Sequence, residues 1–277
     1  MRLEAAGYTN IGDTRQMNQD SYAIKVASTE IGDVAMVVVA DGMGGLTAGE
    51  LASATAVREF SRWFDEKLPM SLETMRNSVG GFERYVEGQW RGLAQEINLK
   101  VMRHGMHTQT SLGTTLTVML AVGARYSIAH VGDSRAYEIT DEGTRQLTTD
   151  QTWVQQQYEA GLMSAEEARV HSRRNVLLQC LGASREVDPQ VIHGNLRSGA
   201  TYLLCSDGLG HELTSAELAG WLAPRALEGA CYVEGDFEDS FDQAAAIGLL
   251  DGMAKCAISR GEHDNITAVM LSVRGGR

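Results

Sequence analysis

Two short stretches, about half a chain apart, close an apolar run on the same pair of residues. One is Met36-Val-Val-Val-Ala-Asp41-Gly-Met-Gly-Gly45 and the other is Tyr202-Leu-Leu-Cys-Ser-Asp207-Gly-Leu-Gly210. Runs of this length, rich in β-branched and large apolar residues and ended by glycine, suit buried strands. A carboxylate at the mouth of a buried strand is unfavourable unless something pairs with it. Asp-Gly alone is an ordinary turn signal. Two copies at matching places suggest one shared partner, and a divalent cation is the natural candidate.

The rest of the chain supplies more acids at similar places. Strands are expected over about 3–10 and 21–27, and the polar stretch Gly12-Asp-Thr-Arg15-Gln-Met-Asn18-Gln19-Asp20 joins them. It reads either as a solvated hairpin loop or as an Arg aimed at an anion, with Asp20 nearby to orient it or a bound water; the planar guanidinium fork suits phosphate. Gly42, Gly44 and Gly45 allow close backbone approach. Thr47-Ala-Gly-Glu50 reads as a capping box opening a helix with Ala52, Ala56, Phe60, Trp63 and Phe64 on its apolar face, ending near Pro69. A second helix is expected over about 72–104, with Leu93, Ile97, Val101 and Met102 on its buried side. His104 and His107 have metal-ligand spacing but no acidic third ligand near them, and read better as side chains suited to a helix C-terminus.

Residues 111–147 read as three successive strands of one antiparallel sheet, 111–122, 125–131 and 136–139. The turn Gly132-Asp133-Ser134 then gives a third acid at a strand end, and His130 reads as a satisfied strand histidine. Residues 148–185 turn polar and helical, with a capping box at Ser164–Glu167, and read as an insertion over the sheet of the kind that gates sites. Arg173 and Arg174 there read as a solvated face or as contacts for an anion. After the Asp207 strand comes a helix capped by Thr214 and Glu217, a loop over 225–240, and a helix over about 241–260. Ala246, Leu249, Leu250, Met253 and Ala257 form the buried stripe of that last helix. Asp264 and Asn265 open the last strand, 266–273.

Composition narrows the classes of function. A formal charge of −12 over 277 residues leaves no basic footprint for nucleic acid and is compatible with a carboxylate site. No apolar run approaches the roughly 18 residues of a membrane span. The four cysteines, Cys180, Cys205, Cys231 and Cys256, form no CxxC pair and read as thiols of a reducing compartment. The N-terminus lacks the apolar core of a signal peptide. The expectation is one cytoplasmic domain over 1–277, without nucleic-acid or membrane partners.

Four aspartates, Asp41, Asp133, Asp207 and Asp264, thus lie where strands meet loops. Unpaired, such charges raise one another's pKa values. Hard cations relieve the repulsion and prefer oxygen ligands, so without a Cys or His cluster the metal expected is Mg²⁺ or Mn²⁺. Two ions roughly 4 Å apart can share and activate a water, and an Arg beside them makes phosphate-ester hydrolysis the natural chemistry.

The ordered set Gly12-x-x-Arg15-x-x-Asn18-Gln19-Asp20, Val39-Ala-Asp41-Gly-Met-Gly-Gly45, Gly113-Thr-Thr115, Val131-Gly-Asp133-Ser-Arg135, Leu147-Thr-x-Asp150, Ser206-Asp207-Gly-Leu209 and Asp264-Asn265-x-Thr267 resembles the metal-dependent protein phosphatases of the 2C type in their compact bacterial form. The resemblance runs from about residue 5 to 273. It implies an α+β fold, a four-layer α-β-β-α sandwich with two central antiparallel sheets and the metals at one end. It implies hydrolysis of protein phosphoserine and phosphothreonine by a water bridging two Mg²⁺ or Mn²⁺ ions. Asp41 would bridge both ions, Gly42 would ligate one through its carbonyl, and Asp207 and Asp264 would complete the other. Asp133 with Asp207 would match the ligands of a third, weaker ion. Arg15 would bind the phosphate, Asp20 would hold a metal-bound water, and Asn265 would support Asp264. Residues 148–185 would be a mobile flap. The implied partners are phosphoproteins, substrates of a cognate serine/threonine kinase, met by a monomer.

Met43 stands where some members carry a proton-donating His, so a metal-bound water would have to protonate the leaving alcohol. Gln151 and Ser172 replace His and Pro of bacterial relatives, which reads as substrate tuning. A catalytically silent binding module would be expected to have lost a metal acid, and none is missing. A hydrolase of small phosphate esters would share the same metal centre, and the strand-end site with its flap favours protein substrates by analogy alone.

Overall fold

The computed structural model describes residues 1–44, 48–75, 79–233 and 240–275. In chain order the elements are β1 (Arg2–Asn10), β2 (Asp20–Thr29), β3 (Gly32–Gly44), α1 (Ala48–Glu66), α2 (Leu68–Met75), α3 (Val79–Thr108), β4 (Leu112–Thr114), β5 (Leu116–Val122), β6 (Arg125–Val131), β7 (Arg135–Thr140) and β8 (Gly143–Gln146). There follow α4 (Trp153–Glu159), α5 (Ala165–Val170), β9 (Gln190–Asn195), β10 (Thr201–Cys205), α6 (Asp207–Gly210), α7 (Ser215–Leu222), α8 (Pro224–Ala230), β11 (Tyr232–Val233), β12 (Ser240–Phe241), α9 (Gln243–Ser259) and β13 (Ile266–Arg274).

The apolar runs are unbroken because both faces of each central strand are covered. In β3, Val34, Met36, Val38 and Ala40 pack under α1 and α3, whereas Ala35, Val37 and Val39 meet the other sheet. In β13, Ala268 and Met270 lie with α7, α8 and α9, and Val269, Leu271 and Val273 face β3 and β5. The result is two antiparallel sheets flanked by helices, four layers deep. Among the described residues one large sheet runs β1-β13-β10-β7-β8 and the other β2-β3-β5-β6-β9, with β4 added alongside β3, and β11 and β12 pair as a separate two-stranded ribbon. Outside the second sheet, Trp90 meets Phe60 at 5.8 Å and Trp63 at 5.5 Å, both edge-on, locking α3 to α1.

The apolar faces expected for α1 and α9 are the buried ones, with Leu249 only partly covered. The capping boxes at Ser164–Glu167 and Thr214–Glu217 are both formed. The expected box at Thr47 and the role of Gly45 fall on residues outside the described ones.

Several expectations need correction. Residues 111–147 do not form one meander. The first strand divides at Thr115 into β4 and β5, and β6 and β7 belong to opposite sheets. Gly132, at φ +106°, lets the chain cross between the sheets; a Cβ there would stand 2.6 Å from Thr115 Cγ2. The helical stretch after Pro69 is two helices, α2 and α3, and Pro69 sits inside the first turn of α2, where its missing N–H is harmless. Residues 224–230 form α8 rather than loop, started by Pro224 at its first position. Strands β8 and β9 were not expected; both lie at sheet edges, where the apolar signal is weakest. The 148–185 segment is two short helices joined by irregular chain rather than helical throughout.

Candidate metal centre

Strand register gathers the acids. Asp20 opens β2 directly opposite Asp41 near the end of β3. Leu116, which starts β5 beside β3, pairs with Val131, and Asp133 follows two residues later. In the other sheet Cys205 pairs with Ala268; Asp207 follows the one and Asp264 precedes the other. All five acids therefore leave from the same end of the sandwich.

Side chains then tie the two sheets together at that end. Ser206 Oγ donates to Asp20 Oδ2 at 2.8 Å, and Thr267 N donates to Ser206 Oγ at 2.9 Å. Asn265 Oδ1 accepts from Gln19 N at 2.8 Å, while its Nδ2 donates to Ile11 O at 2.8 Å and Met17 O at 3.1 Å. Asn265 thus stitches the Arg15 loop onto the start of β13, and its backbone N donates to Asp264 Oδ1 at 2.7 Å. Asp41 is held by its backbone. Its N–H donates to Thr115 Oγ1 at 2.9 Å, and its carbonyl accepts from Thr115 N at 2.8 Å and Thr114 Oγ1 at 2.9 Å. Gly42 must be glycine, since a Cβ there would run into the carbonyl oxygens of Gly49 and Gln19.

The electrostatics follow from this crowding. Asp41 keeps some solvent access, yet burial by the protein around it, then the charges of Asp20, Asp207, Asp133 and Asp264, push it well above the usual carboxylate range. Burial, then Asp207 and Asp150, do the same to Asp133. Asp20 is pushed up to about 7 by burial against the pull of its Ser206 and Thr267 partners, and Asp207 to about 6 by burial and Asp264. Asp20 Oδ1 and Asp207 Oδ1 are buried with no hydrogen-bond partner among the described residues. Among those residues, no three acids, imidazoles or thiolates stand close enough to form a closed ligand cage. The acids are nonetheless coupled to one another through charge. Donors of oxygen alone, two of them orphaned, in a ring that cannot fully ionise by itself, fit a hard divalent cation.

Arg15 stands at the rim with its side chain about 51% exposed, and its Nη2 donates to Asp264 Oδ2 at 2.6 Å. Of the two readings of this loop, the solvated one holds in part, since residues 13–16 are exposed, although β1 and β2 lie in different sheets and the loop is no hairpin; Arg15 nevertheless reaches the acids through Asp264.

Other residues steady the site in ways no single motif announced. Thr115 Oγ1 and Ser134 Oγ lie 2.7 Å apart, joining the Asp41 strand to the Asp133 turn. Arg135 Nε and Nη2 reach Asp150 at 3.0 and 2.6 Å, and its Nη1 donates to the Gly210 carbonyl, pinning α6 beneath Asp207. Burial works to raise Asp150, but Arg135 outweighs it and holds the acid below its ordinary range. Gln151 N donates to Gly132 O at 2.7 Å and its Oε1 accepts from Gly132 N at 3.0 Å, fastening the next segment to the Asp133 turn. These residues stood in or beside the quoted motifs; their signal was position, not residue type. His130 is buried on its strand, as read, but among the described residues only one of its ring nitrogens is satisfied. Its Nδ1 lies 2.9 Å from Thr117 Oγ1, its Nε2 has no partner among the described residues, and burial lowers it to about 4. His104 and His107 lie in the last turns of α3, where His107 Nδ1 stands 2.8 Å from the Arg103 carbonyl.

The family described as protein phosphatase 2C matches residues 7–244. The chain belongs to the protein phosphatase 2C family. The phosphatase PhpP of Streptococcus pneumoniae is 32% identical to this phosphatase over 221 residues, 78% of this chain and 82% of PhpP. The serine/threonine phosphatase of S. agalactiae superposes with a TM-score of 0.79 at 26% identity, covering 99% of this chain and all of that one. The catalytic domain of the serine/threonine phosphatase PstP, solved with two manganese ions, superposes at 0.71 with 27% identity over 99% of each chain. The two flanked antiparallel sheets of this phosphatase are those of its relatives. No helix among its described residues is long and apolar enough to cross a membrane.

Proposed function

We propose that the phosphatase hydrolyses phosphoserine and phosphothreonine in proteins by direct attack of water, with divalent ions held by Asp41, the Gly42 carbonyl, Asp207 and Asp264, and a third, weaker ion by Asp133 and Asp207. The observation that carries this reading is the ring of acids, with its raised pKa values and its two orphaned buried oxygens. When bound, Mn²⁺ or Mg²⁺ supplies positive charge to the phosphoryl oxygens and acidifies water.

The chain's own groups do the rest. Arg15 uses one nitrogen on Asp264, and its remaining N–H groups, with no partner among the described residues, offer a planar fork to two phosphoryl oxygens. Asp20 Oδ1 accepts a hydrogen bond from the attacking water and aims its lone pair, while Ser206 fixes the other oxygen. Met43 has no proton to give, so the leaving alkoxide would take its proton from a water held at the metal centre.

Residues 148–185 act as a flap over the substrate. Between this segment and α6–α7 lies a cavity of about 400 Å³ bordered by Asp150, Tyr158, Arg169, Arg174 and His211, where residues flanking the phosphorylated one are received. Substrates are phosphoproteins of a cognate kinase, met by a monomer.

The test is a panel of phosphoserine, phosphothreonine and phosphotyrosine peptides with and without Mn²⁺. Release of phosphate from the first two only with metal is expected; full rate in EDTA overturns the reading. A preference for small phosphate esters over every phosphopeptide would favour the small-ester alternative.

A further inference from the structure

A cleft of about 430 Å³ opens between α1 and α3, beside the start of β4. Its floor is apolar, formed by Leu51, Val101 and Leu112, with Leu51 left 38% exposed. Its rim is basic, formed by Arg58, Lys100, Arg103, His104 and His107, and no acid lines it. In a chain of net charge −12, three cations, Arg58, Lys100 and Arg103, around one cleft with no acid in its lining call for a cause. Internal pairing explains only part of it. Lys100 Nζ meets Glu59 at 2.6 Å, whereas Arg58 Nη2 reaches only the Thr55 hydroxyl at 3.3 Å. Among the described residues, neither Arg58 nor Arg103 makes an ion pair with a carboxylate.

The arrangement of charge selects among anionic occupants. Lys100, Arg103, His104 and His107 are spaced i, i+3, i+4, i+7 and so share one face of α3, a line of about 10 Å at 1.5 Å per residue. A single phosphate would meet one or two of these groups. Three residues of extended chain cover about 10 Å as well, and the exposed Leu51 beside Val101 and Leu112 offers an apolar seat beneath such a chain.

We propose that this cleft docks an extended acidic peptide segment carrying one aliphatic side chain, the carboxylates on Arg58, Arg103 and the α3 line and the aliphatic group on Leu51, Val101 and Leu112. The occupant would press on the backbone that shapes the metal end. Leu112 pairs with Gly44 in the β3–β4 ladder, and α1 begins beside Gly42, whose space the Gly49 carbonyl fills.

Fluorescence anisotropy with a fluorescein-labelled peptide of Glu and Asp around a single Leu tests this without any reference to catalysis. Binding is expected to weaken by about tenfold or more in R58E/R103E and to fall as salt rises. Replacing the peptide's Leu by Ser is expected to weaken it several-fold, as loss of apolar burial requires. The variant should hydrolyse a small phosphate ester at the wild-type rate, which shows an intact fold and keeps this test separate from that of the proposed activity. Equal binding by wild type and R58E/R103E overturns the proposal. So does equal binding of the Leu and Ser peptides, or binding to anionic phosphatidylglycerol vesicles with none to the peptide.

Discussion

The two Asp-Gly stretches share one pattern, an apolar run closed by Asp-Gly-x-Gly, and are used differently. At Asp41 the strand continues: β3 runs on through Gly42 to Gly44, and the backbone is clamped by Thr114, Thr115 and Gln19. At Asp207 the strand has stopped, and the acid opens the short helix α6, pinned from below by Arg135 on the Gly210 carbonyl. Asp41 therefore owes its position to strand pairing, and Asp207 to an ion pair and a tight turn. One dipeptide can present a carboxylate from either frame, and what decides is the neighbour that takes up the backbone groups.

The largest expected effects treat the two copies as equals. Asp41→Asn and Asp207→Asn should each lower the phosphatase rate by about a thousandfold, roughly 4 kcal/mol in the barrier, read as kcat/KM on a phosphothreonine peptide with Mn²⁺. A variant within tenfold of wild type would remove that acid from the centre.

The next separates them. Arg135→Met strands Asp150 without its partner, which for a largely buried pair costs about 3–5 kcal/mol. The loss should appear as a lower urea midpoint and a weakened Asp207 side of the site, with α6 no longer held. An unchanged midpoint would mean that α6 needs no such anchor.

Acidity offers a third comparison, in the metal-free protein. Asp20 and Asp207 ionise at about 7 and about 6 in the fold, against 3.8 for an ordinary Asp. Below about pH 4 both states hold these protons, and nothing changes. From there to about pH 7 the unfolded chain releases protons that these two acids keep in the fold, so their contribution to stability falls as pH rises. His130 and His211, both lowered to about 4 by burial, contribute the opposite slope over much of the same window, so the readout is the difference from Asp20→Asn/Asp207→Asn: without metal the wild-type urea midpoint should decline relative to that variant, and Mn²⁺ should flatten the difference. A wild-type midpoint that does not fall relative to the variant there would contradict the crowding of these two acids.

The smallest effect lies at the rim. Arg15→Ala should raise KM for phosphopeptides by about tenfold while leaving kcat within a few-fold, since it removes one exposed charge-assisted contact. An unchanged KM would end its role as phosphate ligand.

Much of this was legible beforehand. The apolar stripes of α1 and α9 and the two capping boxes are local patterns, and local patterns survive into the fold. The acids were legible as strand-end residues because a charged side chain is costly inside a core covered on both faces, so it marks where the apolar run leaves that core. The crossing at Gly132 was not: a short turn between two strands looks the same whether they pair or part, and only Thr115, Ser134 and Gln151 around it make the difference. Edge strands β8 and β9, half exposed, carried too little apolar signal to be read.

By itself the sequence determined which residues are acids at strand ends, which helices have a buried face, and the family to which the chain belongs, because each rests on residue types at fixed spacing. Tertiary structure alone decided that Asp20, Asp41 and Asp133 on one sheet meet Asp207 and Asp264 on the other. That meeting depends on register within each sheet and on hydrogen bonds between the sheets such as Ser206 to Asp20, 186 residues apart. Spacing along a chain carries no record of such pairings; they arise when two sheets bury their inner faces against each other and their ends come to lie side by side.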